Sequence, residues 1–153
     1  MQALASLNLG PVWVPLGKIL LAYLLTLPVG WEREHEAHSV GVRTFPIVAM
    51  ASCGYLLIAF PNDPSAQSRA LQGLIAGIGF IGGGAILKDG STVRGTAAAA
   101  SIWSTGVVGA AVAMGRYEVA IGLALFTFLT LKILWHFKQR INREEGGPPA
   151  TSR

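Results

Sequence analysis

The residues best suited to chemistry form one short run, Glu32-Arg33-Glu34-His35-Glu36-Ala37-His38, followed by Gly41-Val42-Arg43-Thr44. Three carboxylates within five residues could hold Mg²⁺, an ion that takes a few carboxylates and keeps several of its waters. If the run stays helical, Glu32 and Glu36 share a face at i,i+4, with His35 beside Glu32. The histidines have no recurring ligand spacing, which argues against a transition metal. Two later segments add charge, Lys88-Asp89-Gly90 and Val93-Arg94-Gly95. The candidate functional cluster is therefore Glu32, Arg33, Glu34, Arg43, Thr44, Asp89 and Arg94, with Glu32, Glu34 and Asp89 the ligands if Mg²⁺ binds. A solvated loop with partial Glu–Arg pairing is the plainer alternative, and it suits His35, Glu36 and His38 best.

The second chemical signal is Gly77-Ile78-Gly79-Phe80-Ile81-Gly82-Gly83-Gly84. Gly77, Gly79 and Gly82 spell the dinucleotide fingerprint G-x-G-x-x-G, but that motif needs a preceding strand and an acid about 20 positions later. Here an apolar segment precedes it and Asp89 comes too soon. Two readings stay open. Gly73/Gly77 and Gly79/Gly83 have the small-xxx-small spacing that lets helix backbones approach closely, the more frequent use of such glycines. Alternatively, Gly82-Gly83-Gly84 unwinds the helix within a membrane and offers backbone groups to an ion or substrate. No serine, histidine and acid share a plausible side, and Cys53 lies mid-segment without a base, as a small packing residue. The chain is not expected to be an enzyme.

These residues are carried by an unusually apolar frame. Of 153 residues, 52% are hydrophobic and only 13% charged, against roughly 25% charged in soluble domains. A soluble fold of this size would lack the charge to cover its surface, so the composition indicates a membrane protein. A bilayer core of about 30 Å needs on the order of 20 apolar residues per helix. Five stretches qualify: Val12–Trp31, Thr44–Phe60, Leu71–Leu87, Ala97–Met114 and Tyr117–Phe137. Trp13 to Trp31 and Tyr117 to Trp135 each span about 27 Å of helix, which suits aromatic rings at the two interfaces. The expected fold is an all-α polytopic membrane bundle. Residues 1–137 form its transmembrane domain, and 138–153 a polar, mobile cytoplasmic tail. The first 30 residues do not read as a cleaved signal peptide.

Basic residues orient the bundle. Arg33, Arg43, Lys88, Arg94, Lys138, Arg140, Arg143 and Arg153 fall on one set of connections, and Arg69 and Arg116 on the other. By the positive-inside rule the N-terminus lies outside and the C-terminus in the cytoplasm. Cations spread along one membrane face also account for the net charge of +4 without nucleic acid as a partner. Lys18 and Lys132 fall within spans, close enough to an end to snorkel.

Gly30-Trp31-Glu32-Arg33-Glu34 with Gly41-Val42-Arg43-Thr44-Phe45-Pro46 resembles the opening signature of the MgtC/SapB family of bacterial membrane proteins. The run from Gln72 to Leu87 resembles the second family block. Val93-Arg94-Gly95, followed by Ala99-Ala100-Ser101-Ile102-Trp103, resembles the third. Gln72, Gly95 and Trp103 thus join the candidate residues by resemblance alone. The family usually continues Gly-Leu-Thr-Thr-Ala-Ala after the Val-Arg pair, whereas Gly95-Thr96-Ala97-Ala98-Ala99-Ala100 lacks both usual threonines. Ending at Arg153, the chain resembles the short form without a C-terminal cytoplasmic domain.

The resemblance implies a multi-pass bacterial inner-membrane protein that supports adaptation to magnesium limitation and, in pathogens, virulence. It implies regulation of other membrane proteins more than transport, with membrane lipids and either a homo-oligomer or another inner-membrane complex as partners. A Mg²⁺ carrier is the alternative, yet the sole acid inside an expected span is Glu118, at the outer edge of the fifth. A dehydrated divalent ion at mid-membrane would be expected to find charged ligands. A structural membrane protein with a lipid-facing role is the third reading. No cofactor is implied beyond Mg²⁺.

Overall fold

In the computed structural model the chain is described over residues 12–34, 41–59 and 63–144, with side chains as far as Leu134. Among the described residues five helices and one hairpin follow in order: α1 (Trp13–Glu34), α2 (Thr44–Ile58), α3 (Pro64–Gly84), β1 (Leu87–Asp89), β2 (Thr92–Arg94), α4 (Thr96–Ala113) and α5 (Tyr117–Glu144). The bundle is all-α apart from that hairpin, as its composition requires. His35, Glu36 and His38 lie outside the described residues.

Three helices are long and apolar enough to cross a membrane: α1, α4 and the Tyr117–Leu134 part of α5. α2 is as apolar but has 15 residues, about 22 Å of helix, shorter than a bilayer core. α3 has the length, 21 residues, but Ser65, Gln67, Ser68, Arg69 and Gln72 make its first half polar.

The third element departs from its expected bounds at both ends. It starts seven residues before Leu71, because Pro64 fits the first helical position and Asp63 caps it. Asp63 Oδ1 accepts from Ser65 N at 2.9 Å, Ala66 N at 3.1 Å and Ser65 Oγ at 2.6 Å. It stops at Gly84, and Leu87, expected inside the span, pairs with Arg94 in an antiparallel hairpin. The expected tail also differs: α5 stays helical through Glu144, so Lys138–Glu144 continue the helix beyond its Tyr117–Leu134 span.

α4 is the hub, packing against all four other helices. Its buried face is Ala98, Ser101, Ile102, Thr105, Gly106, Val108, Gly109, Ala110, Ala111 and Val112. Such small residues let backbones approach where lipid supplies no hydrophobic drive between helices. At the α2 crossing, a Cβ on Gly109 would collide with the Ala49 carbonyl and stand 2.9 Å from Ser52 Cβ. One core cluster joins Ala22, Ala49, Cys53, Val108, Ala111, Val112, Ala120 and Ala124. The other joins Val29, Phe45, Val48, Ile78 and Ile102.

Most polar groups inside this core satisfy themselves locally, whereas the buried Ser52 hydroxyl has no hydrogen-bond partner among the described residues. Thr26 donates to Ala22 O, Ser101 to Ala97 O and Thr105 to Ser101 O. Ser104 and Thr127 share a 2.7 Å bond across the α4–α5 contact. α4 ends in a Schellman turn: Gly115 takes φ +73°, Gly115 N donates to Val112 O and Arg116 N to Ala111 O. The carbonyl of Ala113 there accepts from Lys18 Nζ at 2.8 Å. The Lys18 cation thus closes the negative end of α4, reaching an end of the bundle as a snorkelling lysine should. Lys132 Nζ lies 5.4 Å from the centre of the Phe128 ring.

Candidate functional site

The end of α1 and the start of α2 form a closed corner. Gly30 is buried against the turn, and a Cβ there would stand 3.0 Å from Val42 O and 3.1 Å from Val42 Cα. That approach brings the turn under the last residue of α1. Glu34 Oε2 accepts from Val42 N at 2.8 Å, and a Cβ on Gly41 would run into the same carboxylate. Thr44 N then donates to Gly41 O at 3.1 Å, opening α2. Arg43, at the helix start, provides no side-chain cap. A carboxylate from the preceding helix fills that place, where the positive end of α2 favours it.

Arg33, next to Glu34 at the end of α1, is 4% exposed. Glu32 and Thr44 are half-buried, and Glu34 and Arg43 exposed. Asp89 and Arg94 stand on the hairpin, every strand residue of which is exposed. The hairpin makes no extensive packing with α1 or α2. Among the described residues no ion pair joins Glu32, Arg43, Asp89 and Arg94. The structure therefore joins Gly30 and Glu34 to the Gly41–Val42 turn, and leaves Asp89 and Arg94 on a separate element. The candidate ligands Glu32, Glu34 and Asp89 do not meet as a set: among the described residues no three Asp, Glu, His or Cys side chains come close enough to share a metal. Glu34 is already engaged by backbone.

The glycine segment sets its two sequence readings apart. α3 remains helical through Gly82, Gly83 and Gly84, so no break opens within it; the chain leaves the helix only after Gly84. Close packing within the chain falls to one glycine, Gly82, where a Cβ would stand 3.2 Å from Ala99 O on α4. Gly73, Gly77, Gly79, Gly83 and Gly84 have nothing within 4 Å of that position. The reason is angular: Ile78 and Gly82 face α4, and the other five glycines lie about 60–180° around the helix from Gly82. The outer surface of α3 is thus Gln72, five glycines, Ala76 and Phe80, the last 85% exposed.

Of the remaining motif residues, Trp103 is exposed on α4. Gly95 is structural: it takes φ +84°, and a Cβ would collide with the Ala85 carbonyl. Gly106 and Gly109 on α4 are contact residues that no motif marks. Gly106 meets Ile78 of α3, and Gly109 meets α2.

A helix bundle with a small-residue core, exposed Trp13, Trp31 and Phe126, and three spans of membrane length is an all-α membrane protein. The sequence matches the MgtC family over residues 19–140, and the chain belongs to that family. Protein MgtC of Salmonella typhimurium (strain LT2) is 30% identical over 125 residues, covering 82% of this chain and 54% of the relative. Protein SrpB of Synechococcus elongatus is 33% identical over 135 residues, 78% of this chain and 74% of the relative. A protein of Escherichia coli K12 named putative magnesium transporter YhiD is 28% identical over 133 residues, 81% of this chain and 62% of the relative. The chain spans about half the length of the Salmonella protein. No solved structure matches the chain.

Proposed function

We propose that this chain is a non-enzymatic, multi-pass protein of the bacterial inner membrane, N-terminus outside, that serves adaptation to magnesium limitation by lateral contact with another membrane protein. The observation that carries this reading is the open outer face of α3. Five glycines there expose bare helix backbone with nothing nearby, although small residues on a membrane helix are of use chiefly where a second helix lies against them. α3 is also the helix least able to face lipid by itself, being long enough but too polar in its first half. Family membership and the name of the Escherichia coli relative support the link to magnesium.

That name also favours a second reading, a Mg²⁺ carrier. Against it stand the unbroken α3, the dispersal of Glu32, Glu34 and Asp89, and the position of Glu118, exposed and bonded to Arg116 Nε at 2.6 Å. Purified protein in proteoliposomes separates the two. Regulation predicts no protein-dependent Mg²⁺ flux in either direction, together with crosslinking of Gly77→Cys and Gly83→Cys to a neighbouring chain in native membranes. Flux that saturates with Mg²⁺, with no crosslink, would replace regulation by transport.

A further inference from the structure

We propose that the Ile86–Arg94 hairpin is a docking element for the bilayer surface that holds anionic phospholipid headgroups through Lys88 and Arg94. One residue separates it from α3 and one from α4, so it sits where membrane helices end. Ile86, Leu87 and Val93 are 42%, 64% and 53% exposed, continuing the exposed apolar surface of Phe80 and Ile81. Large apolar side chains beside the end of a membrane helix belong at the boundary between headgroups and acyl chains.

The register sorts charge by distance from the bundle. Leu87 pairs with Arg94 at the root, Lys88 with Val93 in the middle and Asp89 with Thr92 next to the turn. Cross-strand partners project from the same face, so each of the first two pairs couples an apolar residue to a cation. The acid is farthest from the helices. Such coupling suits an interface, with the apolar part in the acyl boundary and the charge at the phosphate. Neither Lys88 nor Arg94 has an ion pair or side-chain hydrogen bond among the described residues. An anionic headgroup complements them without displacing an internal partner.

The root is held in place. Gly95 at φ +84° packs its backbone on Ala85, where a Cβ would collide with the carbonyl. Ala85 N and Ile86 N donate to Gly82 O and Gly83 O, fixing the exit from α3. The hairpin therefore presents its cations at a set depth. The inference rests only on the membrane placement of the bundle and holds whether the chain regulates or carries.

The test uses the full chain in nanodiscs of phosphatidylcholine with and without phosphatidylglycerol. A fluorophore on Val93→Cys, in a Cys53→Ala background, should emit as in an apolar medium and be quenched by nitroxide-labelled lipid. Native mass spectrometry should show retained phosphatidylglycerol, its affinity falling roughly fivefold for each of Lys88→Gln and Arg94→Gln, and unchanged in Arg116→Gln. Aqueous emission from position 93 would overturn the proposal. So would lipid quenching with equal phosphatidylglycerol retention in the Lys88→Gln, Arg94→Gln double variant, because the hairpin would then be a neutral anchor.

Discussion

Gly109 on α4 and Gly83 on α3 are the same residue in membrane helices one hairpin apart, and they occupy opposite environments. At Gly109 the missing Cβ is filled by the Ala49 carbonyl and the Ser52 side chain; at Gly83 nothing stands within 4 Å. A glycine in a membrane helix therefore has two physical meanings. Where another helix already lies, it sets the distance between backbones; where none lies, it leaves a surface whose covering must come from outside the described chain. The two are indistinguishable by composition or by spacing.

The largest effect expected from this contrast is on assembly. Gly109→Leu places four carbons where a backbone carbonyl sits, and backbone cannot yield as a flexible side chain can. Overpacking of this kind costs about 1–3 kcal/mol or more, so the variant should lose its thermal transition in detergent or fail to accumulate. Gly83→Leu should shift stability by no more than about 0.5 kcal/mol while abolishing complementation in low-magnesium growth. If both variants melt alike, the contrast between the two helices does not hold. An unchanged, fully active Gly83→Leu protein would remove the docking role of the α3 face.

A smaller effect sharpens a second contrast, between the closed corner and the open hairpin. Glu34→Ala removes the acceptor for Val42 N and the negative charge at the start of α2. The bond is exposed, so the loss should be about 0.5–1 kcal/mol, with faster amide exchange at Val42 and Thr44. Glu34→Gln keeps an acceptor and should restore part of it. Asp89→Ala, on the hairpin, should leave both exchange rates unchanged.

The smallest effect concerns pH at the start of α3. Hydrogen bonds from the Ser65 hydroxyl and then the Ala66 amide hold the Asp63 carboxyl below its ordinary range. A carboxyl lowered in the folded state stabilises it fully above the unfolded value, and that contribution disappears as pH falls through the lowered one. Acidification should therefore lower the protection factors (exchange corrected for the intrinsic rate at each pH) at Ser65 and Ala66, whereas Asp63→Asn, itself a good cap, should make those protection factors independent of pH over the same range.

The sequence by itself determined that the chain lives in a membrane, that it is a bundle of largely apolar helices and which family it joins. These are properties of composition, of runs near bilayer length and of motifs in order, and none depends on which helix touches which. Some local structure was also written there and read too coarsely. Asp63-Pro64 is a helix-start signature, yet the polar turn after it reads as loop; Gly90 between two short β-prone runs marks the hairpin that ends α3 early. What only the tertiary structure decided is the use of each side chain. Glu34 reads as a metal ligand until the turn at Val42 is seen beneath it, and five glycines read as packing residues until α4 is found touching only Gly82. A helix fixes the angle of every residue about its own axis, but not the side from which its neighbours come. That choice belongs to long-range contacts between α2, α3 and α4, which sequence spacing does not encode.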